Sequence, residues 1–206
     1  MKTKLRSVLG LALLLVLVQI VSVTPTAAQA INSNAGTVTL NATLAESLSV
    51  NVTSGNVVNF TLASNTAANA GSVPTAVTAT WVLKPGRTVV TVWAWVATTG
   101  AALTGTGGAP ATIPASAVSI VTTAGANAPV VANGALNATL SGAAGAPAFI
   151  TAGGSGLQFA SKAITGLNKA SLIGASLAWN IDTTVVPQLP ADTYTGTVNI
   201  QAQATP

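Results

Sequence analysis

Residues 77–96 read VTATWVL, KPGR and TVVTVWAWV, and no other stretch limits the fold so narrowly. Val, Thr and Trp fit a pleated surface. Pro85 presets φ at the second position of a turn, and Gly86 at the third suits the positive φ of a type II turn. The pattern predicts a β-hairpin turning at Pro85 and Gly86. In its second arm Val89, Thr91, Trp93 and Trp95 share one face, while Val90, Val92, Ala94 and Val96 share the other. A strand apolar on both faces is a central strand, covered on both sides. Three of the four tryptophans lie here, so bulky core volume is expected here, Trp93 and Trp95 included. The competing use of that pair is an exposed aromatic platform for sugar rings.

The chain opens as a secretory signal peptide over residues 1–30. Lys2, Lys4 and Arg6 form a positive n-region, residues 8–23 are apolar except Gln19 and Ser22, and Ala28-Gln29-Ala30 offers a small-x-small cleavage pattern. Cleavage is expected after Ala30, with Ala28 as second choice. The alternative is an uncleaved anchor helix, for which the apolar run is short of the ~20 residues of a bilayer span. This places the protein outside the cytoplasm: secreted, periplasmic or on the cell surface, with no membrane attachment after cleavage. With no cysteine there is no lipid anchor on that residue and no disulfide. The mature part must therefore hold together by packing.

Removing the signal changes the charge. The formal +4 of the chain includes three n-region cations; Lys84, Arg87, Lys162 and Lys169 then stand against Glu46, Asp182 and Asp192, four against three, leaving +1. No basic patch for nucleic acid remains. So few charges repel one another weakly, which favours self-association. Sequons at Asn41, Asn51, Asn59 and Asn137 matter only in a glycosylating host.

Period-2 alternation recurs along the mature chain. Val38, Leu40, Ala42 and Leu44 point one way, with threonines and Asn41 between them; the parity resumes at Leu48, Val50 and Val52. Two strands or one bent strand are expected over residues 36–52, with a solvated Glu46 at the break. Val58, Phe60 and Leu62 form a further short strand, as do residues 118–121 and 135–140. Residues 157–164 and 170–181 are interior strands. Between them lie Gly/Ala/Thr/Pro-rich loops, with Leu103 and Ile113 as anchors into the core. No apolar 3.6-residue period follows the signal. The fold expected over residues 31–206 is a single all-β domain, a sandwich or barrel.

The last strand narrows this. LPADTYTGTVNIQAQ, residues 189–203, resembles the closing strand of bacterial secreted Ig-like β-sandwich surface proteins, fimbrial and spore-coat-U-like subunits among them. These carry a proline, a small residue, glycine or threonine and a tyrosine before an alternating strand; here Asp192 stands where glycine is commoner. VWAWVATTGAAL followed by IPASAV is similar to the middle of uncharacterised secreted proteins of this kind. The resemblance implies an Ig-like antiparallel sandwich and carries over no catalytic residue. It also implies a mode of assembly: in fimbrial subunits an N-terminal extension of one copy completes the sheet of the next. Val38, Leu40, Ala42 and Leu44 are the candidate donor positions. The alternative, that they are simply the first strand of their own sandwich, is favoured by the tendency of consecutive elements to pack as neighbours.

Catalytic chemistry is hard to find. The chain has no histidine and no cysteine, which removes Ser-His-Asp and Cys-His catalysis and His/Cys zinc sites. Asp182 and Asp192 are the one pair of acids close in sequence, and turn and cap roles suit them better than acid/base work. The glycine-rich runs 105–108 and 153–156 lack the ending of a phosphate loop. No catalytic residue, cofactor or metal is expected. The reading is a structural or adhesive surface subunit, pilin-like or coat-like, whose partners are copies of itself or other surface subunits. The alternative is a secreted polysaccharide-binding module.

Overall fold

The computed structural model describes residues 33–107, 111–139, 147–150 and 152–206. The expected signal helix lies outside them. The chain divides into two units, Met1–Thr43 and Leu44–Pro206. In the first, the described residues are without regular secondary structure, and Val38 and Leu40 are exposed, Leu40 at 89%. The strand expected over 36–44 is therefore not formed. Alternation shapes the two faces of a strand, but a ladder also needs a partner edge.

The second unit is all-β and antiparallel. Its strands in chain order are β1 (Ser47–Ser54), β2 (Asn69–Ala70), β3 (Thr75–Val82), β4 (Val89–Val96), β5 (Leu103–Gly105), β6 (Thr112–Ile113), β7 (Val118–Ala124), β8 (Val130–Val131), β9 (Gly134–Ala135), β10 (Ala138–Thr139), β11 (Ser155–Ala163), β12 (Ala170–Ile181), β13 (Tyr194–Thr195) and β14 (Asn199–Thr205). One sheet runs β1-β3-β12-β7-β9, with β2 on β12. The other runs β10-β11-β4-β14, with β8 on β11. A small third sheet is β13-β5-β6.

The expected hairpin is not one. β3 pairs with β1 and β12, and β4 pairs with β11 and β14. The KPGR connection arches from one sheet to the other. Its ends bond to different sheets: Leu83 N donates to Lys169 O at 2.8 Å, and Thr88 N to Thr205 O at 2.9 Å. Turning across the core instead of along one sheet lets the apolar inner faces of the two arms pack against each other, which arms lying side by side in a hairpin could not do. Arg87 N still donates to Lys84 O at 3.3 Å, closing a turn, but Gly86 has no positive φ. The type II expectation fails because Pro85 is equally compatible with a type I turn, which needs no glycine at the third position. Val58, Phe60 and Leu62 likewise form no strand, only the isolated bridge Phe60↔Gly71.

The core lies between the two main sheets. Val77, Ala79 and Trp81 of β3 and Ile173, Leu177, Trp179 and Ile181 of β12 face Val90, Val92, Ala94 and Val96 of β4 and Phe159 of β11. Ile113 is a fully buried anchor and Leu103 a half-buried one, as the loop reading expected. Each large side chain so buried contributes roughly 1.5–3 kcal/mol. The two indoles between the sheets keep their N–H groups satisfied: Trp81 Nε1 donates to Asn168 O and Trp179 Nε1 to Thr75 Oγ1, both at 2.8 Å. Trp93 is buried as expected and Trp95 half-buried, but neither lies in the cluster between the sheets. They alternate with the core-facing residues of β4 and so stand on the outer face of their sheet, not between the sheets. The period fixes that two faces differ, and here it was the smaller residues that faced inward.

Candidate functional site

Two sheet edges lie side by side. β1 pairs only with β3, and β14 only with β4. Both edges are long, of 8 and 7 residues, and neither SLSVNVTS nor NIQAQAT carries a charge or a proline. The opposite edges, β9 and β10, are only 2 residues each. Native sheets blunt their edges with short strands, charges or proline; β1 and β14 use none of these.

Between these edges a cleft of about 1000 Å³ opens. One wall is Val50 and Val52 of β1, continued by Val58, Phe60 and Leu62. The other is Leu189, Tyr194, Val198 and Ile200, and Trp179 and Ile181 lie at its base. These wall residues are half-buried, and all but Val52 pack against the core. Alternation explains it: Leu48, Val50 and Val52 continue the inward parity of β1, and Val198, Ile200 and Ala202 that of β14. An apolar inner face therefore reaches the rim of each sheet with no strand of the described residues beyond to cover it. Leu48, Ala202 and Ala204 do not line the cleft, so it occupies the half of this side away from the KPGR arch.

Polar contacts hold the walls. Asn69 and Thr183, both buried, fix residues 63–66: Ala63 N donates to Asn69 Oδ1 at 2.7 Å, Thr66 N to Thr183 Oγ1 at 2.9 Å, and Asn69 Nδ2 to Ile181 O at 2.9 Å. On the other wall Asp192 accepts from Gly107 N at 2.8 Å, Thr193 N at 2.7 Å and Thr106 Oγ1 at 3.2 Å. The hydrogen bonds from Gly107 and Thr193, in that order, hold its carboxyl below the ordinary value. A Cβ on Gly105 would lie 2.4 Å from Asp192 Oδ2 and one on Gly107 3.0 Å from it, so these two glycines make room for the carboxylate. Tyr194 donates to Pro190 O at 2.7 Å. Asp182 accepts from Thr184 N at 2.8 Å. Asp182 thus caps a local turn, whereas Asp192 ties its own turn to the Thr106–Gly107 loop 85 residues away.

At the other end of the sandwich Glu46 is exposed, as expected, but it is also paired. Arg87 Nε donates to its Oε1 at 2.9 Å, and Lys84 Nζ lies 3.7 Å from Oε2. The hydrogen bond from Arg87 holds Glu46 below the ordinary carboxylate value. No sequence signal links residues so far apart.

The four candidate assembly residues stand apart from any strand: Val38, Leu40 and Leu44 are exposed large apolar side chains, and Ala42 is exposed beside them. Of the candidate sugar platform, Trp93 is only 8% exposed, with Nε1 donating to Thr91 Oγ1 at 3.1 Å. Trp95 is half-buried and lies against Phe149, ring centroids 6.3 Å apart. Neither indole presents an open face of the kind a platform needs. Among the described residues no three His, Cys, Asp or Glu side chains could hold a metal ion, and no helix is long and apolar enough to cross a membrane. Comparison with protein-family models, with curated proteins and with solved structures finds no match.

Proposed function

We propose that the chain is a secreted structural or adhesive subunit of a cell surface, pilin-like or coat-like, that assembles with its own kind by strand complementation. Residues 36–44 of one copy fill the cleft of the next. One observation carries this reading: an uncovered apolar cleft between two uncharged sheet edges, in a chain that also carries an unpaired alternating segment. An extended segment added to a sheet edge gains backbone hydrogen bonds, while alternate side chains enter the groove. Val38, Leu40, Ala42 and Leu44 supply four apolar side chains at that spacing, and Thr37, Thr39, Asn41 and Thr43 give a polar outer face. The near-absence of charge fits close packing of many copies.

The test is deletion. A protein lacking residues 31–44 is expected to fold and to stay monomeric, while the mature full-length protein forms ladders or filaments on sizing. If the deleted protein unfolds or aggregates, residues 31–44 belong to their own sandwich and the proposal fails. A full-length protein that stays monomeric at high concentration also defeats it.

A further inference from the structure

The charges of the described residues are sorted to the two ends of the sandwich. Lys84 and Arg87 sit in the KPGR arch. Lys169 precedes β12 and donates to Pro85 O at 3.0 Å. Lys162 pairs in register with Val90, the second residue of β4 after the arch. Glu46 is at the same end, bound to Arg87. Four cations less Glu46 leave +3 there. The two aspartates are at the other end. Asp182 follows β12 directly and its N–H bonds Ala117 O at 2.8 Å. Asp192 lies on the cleft wall against Gly107. That end carries −2. Lys169 and Asp182 thus bracket one 12-residue strand, which at about 3.3 Å per residue places the two poles roughly 40 Å apart.

We infer that copies of this chain meet head to tail, the cationic pole around Lys84, Arg87, Lys162 and Lys169 of one against the Asp182/Asp192 pole of the next. The inference rests on the assembly reading above and adds to it the polarity and the encounter step. Opposite poles attract, and like poles repel, so a two-fold dimer through either pole is disfavoured. A head-to-tail contact is heterologous and propagates into an open chain unless its rotation closes a ring. Among the seven charged side chains of the described residues, only Glu46 opposes this dipole. The strand polarity agrees with the charge polarity. Chain entry through Glu46 into β1 is at the cationic pole, and the cleft opens in the half of the sandwich toward the anionic pole, with Asp192 and Pro190 on its rim. Pole-to-pole docking therefore brings the base of one copy's extension beside the cleft of the next. Steering of this kind acts on association rate and weakens with salt.

The test uses the full-length mature protein and two variants. Lys84→Glu changes the most exposed of these cations, its side chain 65% accessible, and takes its pole from +3 to +1. Val38→Asn/Leu40→Asn leaves both poles intact and removes apolar donor side chains. Assembly is followed by light scattering at about 20 mM and about 500 mM NaCl, between which the Debye length falls from about 20 Å to about 4 Å. The wild type is expected to assemble about tenfold more slowly at high salt, the low end of electrostatic steering. Lys84→Glu, checked for an unchanged denaturation curve, should be slower by a similar factor at low salt and nearly indifferent to salt. Val38→Asn/Leu40→Asn should form no long assemblies, yet its sedimentation coefficient should rise with concentration at low salt and not at high salt. Assembly at one rate in all salts, unmoved by Lys84→Glu, overturns the polar contact while leaving strand complementation standing. Normal assembly of Val38→Asn/Leu40→Asn, still slowed by salt, overturns the strand and keeps the poles. A protein monomeric under every condition overturns both.

Discussion

Arg87 grips Glu46 across forty-one residues of chain, Nε to Oε1 at 2.9 Å, and its Nη1 donates to Ala204 O at 3.3 Å. One guanidinium therefore ties the entry of β1, the arch between the sheets and the end of β14. These are the two edge strands that border the cleft. The fork geometry is what makes this possible, since a lysine offers a point charge and no planar pair of donors. Arg87→Lys is expected to loosen both strand ends. Amide hydrogen exchange should quicken in residues 47–50 and 201–205 and stay unchanged in β12. Equal protection in all three segments would show that the edges hold without the clamp.

Acid should weaken two carboxylate fastenings. Glu46 and Asp192 both have folded pKa values below their ordinary ones, Glu46 through Arg87 and Asp192 through the N–H groups of Gly107 and Thr193. For a depressed carboxylate the stabilisation is present above the unfolded value and is lost as pH falls through the folded one. Stability should thus be flat above about pH 5 and decline below about pH 4, near the ordinary carboxylate range. Asp192→Asn should flatten part of that decline. Urea midpoints at pH 7, 4 and 3 decide it, and equal pH dependence in both proteins would remove Asp192 from the account.

The tryptophans separate by face. Trp81 is 3% exposed and lies in the core cluster between the sheets, so Trp81→Ala should cost roughly 3–5 kcal/mol. Trp93→Ala, on the outer face of β4, should cost less, because the cavity it leaves is not enclosed by both sheets. Denaturant melts of the two variants measure the difference. An equal or larger loss for Trp93 would mean that the outer face is as tightly packed as the core.

Much of the fold was legible because alternation is a local property. β1, β12 and β14 follow from Leu48/Val50/Val52, from residues 170–181 and from Val198/Ile200/Ala202, each read from a few neighbouring residues. Partner choice is not local. VTATWVL and TVVTVWAWV have the composition of a hairpin, and nothing within them says that Leu83 will bond to Lys169 and Thr88 to Thr205, in different sheets. The same holds for Glu46 with Arg87 and for Asp192 with Gly105 and Gly107, where single residues without a motif meet after long excursions of the chain. The cleft was the least legible feature. It exists because no strand of the described residues covers the inner faces of β1 and β14, and a missing neighbour leaves no pattern in the residues that lack it.

Glycine tolerance should follow crowding. A Cβ on Gly196 would stand 2.0 Å from Ala102 O, whereas Gly86 has nothing within 4 Å and no positive φ. Gly196→Ala is expected to destabilise by about 1–3 kcal/mol, as overpacking against backbone does. Gly86→Ala should stay within about 0.5 kcal/mol of wild type, as open surface changes do. Thermal melts compare them directly. A costly Gly86→Ala would restore a left-handed conformation to the arch.

Complementation offers the sharpest test of assembly, because the proposed donor and acceptor lie on different parts of one chain. Leu40→Asn spoils the donor, since an amide placed in an apolar groove loses its water without gaining a partner. It leaves the cleft untouched. Val198→Asn spoils the acceptor wall and leaves residues 36–44 untouched. Each variant alone should be monomeric. Mixed in equal amounts, the Val198→Asn copy can donate to the intact cleft of the Leu40→Asn copy, but that copy cannot donate onward. Growth should therefore stop at dimers, visible by sizing with multi-angle light scattering. Monomers in the mixture, with both variants folded, would mean that these two positions do not meet. Long polymers from either variant alone would mean that copies join through some other surface.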